Sequence, residues 1–210
     1  MIRTLIVDDH SMVRSGLIKI LREENDIEVL AEADGYAQLI ECLKRVFPDI
    51  IVMDISMPGK NGLEIVKELK QAHPGIKTLI LSMHPEERFS VRAIKAGALG
   101  YVSKELAADE LVRAIRQVYN GGKYITPTVA EQLANSFELE SNKLAHERLS
   151  DREFQILNMI ASGKKVKEIA VELSISPATV PTYRARVLEK MHLKSSVEIT
   201  TYALRNNLIE

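Results

Sequence analysis

The sequence predicts an α/β fold, a doubly wound five-stranded parallel sheet, followed by a second, all-α domain of four helices. Three observations predict it. Apolar runs such as Leu5-Ile6-Val7 and Ile50-Ile51-Val52-Met53 lack alternation, so they read as strands buried on both faces. Over the first 120 residues such runs alternate with helical patterns. After about residue 148 only helical patterns remain, separated by cap and turn signals.

The elements follow in order. Ile2–Val7 is the first strand, and Met12–Leu21 the first helix, with Ser11 as candidate N-cap. Ile27–Ala33 is the second strand. Tyr36–Val46 is helical and ends at Phe47-Pro48, because proline disfavours helix in the preceding residue. Asp49–Asp54 is a strand, the Pro58-Gly59 turn follows, and Asn61–Ala72 is helical. Lys77–Ser82 and Ala98–Val102 complete the sheet, with a helix over Glu86–Ala96 between them and Gly97 as its stop. Asp109–Tyr119 is the fifth helix. Pro127 opens a short helix to about Phe137, and the polar stretch Glu138–Glu147 reads as linker.

Beyond it, Ser150-Asp151-Arg152-Glu153 is a capping-box pattern that opens a helix stopped by Gly163. Val166–Leu173 is a second helix, and Ser174–Ser176 a tight turn. Pro177 opens a third helix to about Met191. Ser195-Ser196-Val197-Glu198 is a further capping-box pattern, starting the last helix at Ser196–Asn206.

Composition narrows the class. The single cysteine, Cys42, rules out an intramolecular disulfide, which suits a reducing cytoplasm. No segment has the pattern of a signal peptide or the roughly 18 apolar residues of a membrane span. Net charge is −1, but residues 143–210 carry +3 and residues 1–142 carry −4. An acidic front and a basic back suit a metal-binding domain joined to a nucleic-acid binder.

Charge at the strand ends is the main functional signal. Asp8-Asp9 follows the first strand, Asp54 ends the third, Ser82 ends the fourth, and Ser103-Lys104 follows the fifth. Parallel sheets bind ligands beyond the carboxyl ends of their strands. Three carboxylates gathered there need a cation, and Mg²⁺ takes such hard oxygen ligands while sharing phosphate oxygens. Lys104 adds a point charge suited to a phosphoryl group.

Residues 1–122 resemble the receiver domain of bacterial two-component response regulators, a CheY/flavodoxin-like fold. The matching features are Val7-Asp8-Asp9-His10, Met53-Asp54-Ile55-Ser56-Met57-Pro58 with Gly62, Leu81-Ser82, and Tyr101 ahead of Lys104. The resemblance implies that Asp54 is the phosphoacceptor, charged by a sensor histidine kinase. It implies that Asp9, Asp54 and the Ser56 backbone carbonyl hold Mg²⁺, with Asp8 acting through water. Ser82 and Lys104 would bind phosphoryl oxygens, and Tyr101 would turn as Ser82 moves. Glu105 stands where many receivers have proline after the lysine, so their cis-proline geometry is not carried over. His84 near the rim is a candidate to influence hydrolysis of the acyl phosphate.

Residues 148–210 resemble the LuxR-type DNA-binding domain of NarL/FixJ regulators, joined to the receiver through 123–147. The matching segments include Leu149–Glu153, Ile160–Gly163, Lys167–Ala170, Leu173–Ser176, Thr179-Val180 and Leu188–Met191. The helix-turn-helix would span about Ile169 to Leu188, with Ile169, Ala170, Leu173, Val180 and Val187 as core. Thr179, Arg184 and Lys190 are candidate phosphate contacts. Thr182 and Arg186 are candidate base contacts, with Tyr183 beside them. Pro181 is unusual: it falls on the second turn of the expected helix, removes a hydrogen bond and crowds the Pro177 carbonyl. Weakened or altered DNA preference would follow.

The resemblance thus implies a transcription regulator switched by phosphorylation, binding double-stranded promoter DNA as a homodimer and having no membrane partner. An enzyme of the Mg²⁺-dependent phosphatase or phosphotransferase type is the alternative. It is disfavoured because Ser56, not aspartate, stands two residues after Asp54. A flavodoxin-like cofactor binder fails, since Asp8-Asp9-His10 replaces the glycine-rich phosphate loop.

Overall fold

A computed structural model describes residues 1–83, 86–104, 108–138 and 144–209. The chain folds as two compact units, Met1–Ala134 and Asn135–Glu210.

Unit one is a five-stranded parallel sheet in the order β2-β1-β3-β4-β5. The strands are β1 (Ile2–Val7), β2 (Ile27–Ala33), β3 (Ile50–Asp54), β4 (Lys77–Ser82) and β5 (Gly100–Ser103). Between them run α1 (Ser11–Arg22), α2 (Tyr36–Leu43), α3 (Gly62–Ala72) and α4 (Glu86–Ala96), with α5 (Ala108–Tyr119) after β5; α6 (Pro127–Glu138) starts in unit one and runs past its last residue, Ala134. Every residue of β3 is buried, as the unbroken apolar run requires. Alternate strand residues Ile2, Ile6, Ile50, Val52, Leu79, Leu81 and Val102 form one core with Leu21 of α1 and the apolar face of α5. The residues between them, Leu5, Val7, Ile51, Met53, Ile80 and Tyr101, point the other way and are equally buried.

Several boundaries move for local reasons. The N-cap of α1 is His10, not Ser11, which is already helical. Helix α2 stops at Leu43 rather than Val46, and the N–H groups of Arg45 and Val46 both turn back onto the Cys42 carbonyl. Asn61 caps α3 instead of lying within it, its side chain accepting from the Leu63 N–H at 2.8 Å. Gly97 takes φ +122°, the conformation expected of a helix stop. Glu105 and His84 lie outside the described residues.

Unit two contains α7 (Asp151–Ala161), α8 (Val166–Glu172), α9 (Thr179–Met191) and α10 (Ser196–Arg205). A short 3-10 helix, Ala145–Arg148, precedes them, overlapping the end of the stretch read as linker. The capping box of α7 is complete: Ser150 accepts from the Glu153 N–H, and Glu153 accepts from the Ser150 N–H. That of α10 is only half made. Ser195 caps the Glu198 N–H, but the Glu198 carboxylate takes the Lys194 N–H instead. Ile169, Ala170, Leu173, Val180 and Val187 are buried, as the helical period predicts.

The regular ladder of α9 begins at Thr179, but the turn opens earlier: Ala178 already has helical angles, and Ser176 accepts from the Ala178 N–H with its hydroxyl at 3.3 Å and from the Thr179 N–H with its carbonyl at 2.8 Å. Pro181 thus lies near the helix start, where it withholds one bond, to the Pro177 carbonyl, at a smaller cost than an interior proline.

Candidate functional site

The sheet reverses its order between β1 and β3, and the crevice there lies beyond the strand ends. Strand register decides what faces it. Val7 pairs with Met53, so Asp8, the next residue, comes alongside Asp54. Asp54 pairs with Leu81 and Ser82 with Ser103, so Ser82 and Lys104 reach the same rim one step later. The Lys104 N–H donates to the Ser82 carbonyl at 2.8 Å, fixing the lysine backbone across that rim.

The charges converge. Lys104 Nζ lies 2.7 Å from Asp54 Oδ2 and 2.6 Å from Asp8 Oδ2. The lysine side chain is 5% exposed and the Asp54 and Asp8 side chains 4% and 1%. Burial disfavours the lysine charge, but Asp54 and Asp8 outweigh it and hold its pKa above the ordinary value. Each carboxylate is also oriented from the backbone. The Ser56 N–H donates to Asp54 Oδ1 at 3.1 Å, and the His10 N–H to Asp8 Oδ1 at 2.8 Å.

Asp9 completes the cluster. One ligand atom from each of Asp8, Asp9, His10 and Asp54 lies within 4.8 Å of the others. Asp9 Oδ1 is buried and accepts no hydrogen bond among the described residues, although His10 Nδ1 comes within 2.9 Å. Three carboxylates against one ammonium leave excess negative charge in a confined space. A buried carboxylate oxygen without a donor and this donor set fit a hard divalent cation.

Ser82 is fully buried at the end of β4, and Tyr101 is buried to 1% exposure in β5. Tyr101 donates its N–H to the Tyr124 carbonyl at 3.2 Å, and Gly100 and Tyr124 form an isolated parallel bridge beside the edge strand. Gly62 is required by close approach: a Cβ there would meet the Ile55 backbone at 2.7 Å.

Sequence reasoning missed Arg14. Its Nη1 donates to the Asp8 carbonyl at 2.7 Å while its Nε bonds Glu32 at 2.8 Å, so it braces the turn that presents both acids. The signal was faint: one arginine a helical turn beyond His10, on an otherwise apolar face.

In unit two, Ser174 adopts φ +50° and the Ile175 N–H reaches back to the Ala170 carbonyl at 2.9 Å, closing the turn between α8 and α9. Thr182 and Arg186 are exposed one turn apart on α9, and Thr179 is half-buried. The remaining candidates have partners inside the unit. Tyr183 packs on the core formed by Ile156, Ile169 and Leu173, with the Arg186 guanidinium 5.7 Å from its ring. Arg184 Nε donates to the Ser196 hydroxyl at 2.8 Å. Lys190 Nζ lies 2.7 Å from Glu153 Oε2. Burial would raise the Glu153 pKa, but Lys190 and Ser150 outweigh it and hold the carboxylate below its usual range.

Comparison with known proteins agrees with both halves. Residues 4–116 match the model of the response regulator receiver domain, and residues 147–203 that of bacterial regulatory proteins of the luxR family. The chain is therefore a response regulator: it belongs to the family that joins a receiver to a LuxR-type helix-turn-helix. It is 39% identical over 211 residues to the response regulator GacA of Pseudomonas aeruginosa, covering 100% of this chain and 99% of that protein. It is likewise 39% identical to the response regulator UvrY of Escherichia coli, over 99% and 96% of the two chains. A structure of RcsB from Salmonella enterica serovar Typhimurium, bound to promoter rprA with the phosphomimetic BeF3-, shares the fold. Its TM-score is 0.65 at 23% identity, over 96% of this chain and 98% of that one.

Proposed function

We propose that this protein is a transcription regulator whose binding to double-stranded promoter DNA is switched by phosphorylation of Asp54. The observation that carries the reading is the Lys104 ammonium 2.7 Å from Asp54 Oδ2. Residues 1–122 act as receiver, 123–147 as linker and 148–210 as the DNA-binding domain.

A phosphohistidine on a sensor kinase is the donor. An Asp54 carboxylate oxygen forms the new P–O bond as the P–N bond breaks, and the electron pair stays on the histidine nitrogen. Asp54, Asp9 and the Ser56 carbonyl are the residues to hold Mg²⁺, with Asp8 behind them. When bound, the ion offsets charge on the transferring oxygens. Lys104 releases Asp54 and pairs with an incoming phosphoryl oxygen, neutralising charge that grows in the transition state. The Ser82 hydroxyl binds another oxygen. Tyr101 on β5 responds to that movement and carries the change to the surface around α4, β5 and α5. Phosphorylation then favours a homodimer on DNA. The family and the lack, among the described residues, of any helix long and apolar enough to cross a membrane support a cytoplasmic setting.

An independent phosphatase is not favoured. The chain belongs to a family of regulators, and Ser56 occupies the position where such an enzyme needs an acid. Nor is a receiver with DNA binding weakened by Pro181 favoured, because the match to the luxR family covers residues 147–203, Pro181 included.

The test combines acetyl phosphate and Mg²⁺ with wild type and Asp54→Asn. Covalent phosphate, mass in solution and binding to the DNA upstream of the protein's own gene are measured. Wild type is expected to incorporate phosphate, gain mass and bind more tightly, with no phosphate on the variant. Equal incorporation by Asp54→Asn removes Asp54 from its role.

A further inference from the structure

The outward face of α9 has an unexpected chemistry. Ala178, Pro181, Thr182, Ala185, Arg186 and Glu189 are all exposed, at the spacing of one helical stripe. Three of the six are short and apolar, and Thr182 adds a methyl beside its hydroxyl. Arg186 is the only guanidinium in the stripe. The other polar candidates lie off the stripe with partners of their own: Tyr183, half-buried, against the core, Arg184 with Ser196, and Lys190, still 44% exposed, with Glu153. Glu189 repels phosphate, so backbone contacts must come from the flanks. Lys165 and Lys167 are exposed there at the start of α8, in a segment of the chain that carries net positive charge.

A helix read this way has little hydrogen-bonding capacity for base edges. Its short side chains let it lie deep in a major groove, and its apolar atoms have one matching partner there, the thymine C5-methyl. Pro181 is well suited, since its ring is rigid and loses no rotamer freedom on contact.

Resting on the DNA-binding reading above, we propose that α9 selects its half-site chiefly through thymine methyl groups. Ala178, Pro181 and Ala185 form the apolar ridge that contacts them, and Arg186 sets the register on a single guanine. Pro181 is thus a specificity determinant and not a defect of the recognition helix.

The test uses the full-length chain with Mg²⁺ and acetyl phosphate. Preferred duplexes are selected from a randomised library, and each thymine of the recovered half-site is replaced in turn by deoxyuridine, which lacks only the methyl. Two or three positions are expected to lose about fourfold in affinity each, the scale of one buried methyl. In Pro181→Ser, the thymine-over-uracil preference at one of those positions falls to about one, while the others keep theirs. Ala185→Ser, a milder change, does the same at a different position. Circular dichroism of both variants confirms an intact helical domain. Enrichment of a site at which thymine and uracil bind equally everywhere overturns the inference and leaves DNA binding standing. Failure to enrich any sequence overturns the DNA-binding reading, and the inference falls with it.

Discussion

Lys104 Nζ sits between two carboxylates, 2.7 Å from Asp54 Oδ2 and 2.6 Å from Asp8 Oδ2, although about fifty residues of chain separate it from Asp54. The ammonium bridges two buried acids that would otherwise repel each other. It stands where the phosphoryl group must arrive, so the resting pocket already contains the charge that transfer requires.

Replacing that charge changes how the receiver depends on metal. In Lys104→Met, Asp8, Asp9 and Asp54 lose their internal cation, and the melting temperature without metal falls. Millimolar Mg²⁺ is expected to raise the melting temperature more in the variant than in wild type, because the ion binds the folded acid cluster and substitutes for the lost charge. Phosphate uptake from acetyl phosphate falls by about 10²-fold or more. Equal Mg²⁺ shifts in the two proteins contradict this account.

The Glu153 carboxylate ties the start of α7 to Lys190 on α9. Its folded pKa is below the ordinary value of 4.5, so the folded state binds its proton less readily than the unfolded chain. The resulting stability is present above pH 4.5 and is lost as pH falls through the depressed folded value. The protection of the α7 amides against hydrogen exchange, taken relative to their intrinsic rate at each pH, is expected to fall over that window in wild type. In Glu153→Gln protection falls less with acid, and the variant is less stable at neutral pH by about 1–2 kcal/mol. An unchanged acid response removes Glu153 as the cause.

Gly62 allows the turn after β3 to press against the Ile55 backbone. Gly62→Ala must displace that turn, at a cost of about 1–3 kcal/mol. The same turn carries the Ser56 N–H that orients Asp54, so phosphorylation slows together with the fall in urea midpoint. A stable variant with normal uptake shows that the turn relaxes freely.

Pro181 gives a contrast. It lies near the start of α9, after a turn opened by Ser176, and withholds one hydrogen bond from the Pro177 carbonyl. Pro181→Ala is therefore expected to raise unfolding free energy by about 1 kcal/mol, under the ~3 kcal/mol of a helix-interior proline. A gain of several kcal/mol on removing the proline places it in a strained interior after all.

Much of the pocket was legible because parallel strands are nearly unbroken apolar runs that stop abruptly. The change from Val7 to Asp8 or from Met53 to Asp54 marks a strand end in one dimension. Strand ends on one edge of a parallel sheet share a crevice, so the acids could be grouped without coordinates. Arg14 was not legible, since nothing in a helical period says that its guanidinium turns back to the Asp8 carbonyl. The partners of Tyr183, Arg184 and Lys190 were hidden for the same reason. Helical spacing places a residue on a face but does not say which neighbouring helix packs there.

The sequence by itself determined the alternation of strands and helices, the acids and lysine at the strand ends, and the helix-turn-helix after them. These are carried by local periodicity, caps and turn residues, which act over a few positions. The tertiary structure alone decided which acid meets Lys104 and which recognition-helix side chains remain exposed. Those outcomes depend on strand register and helix packing, where contacts between distant segments outweigh local preference.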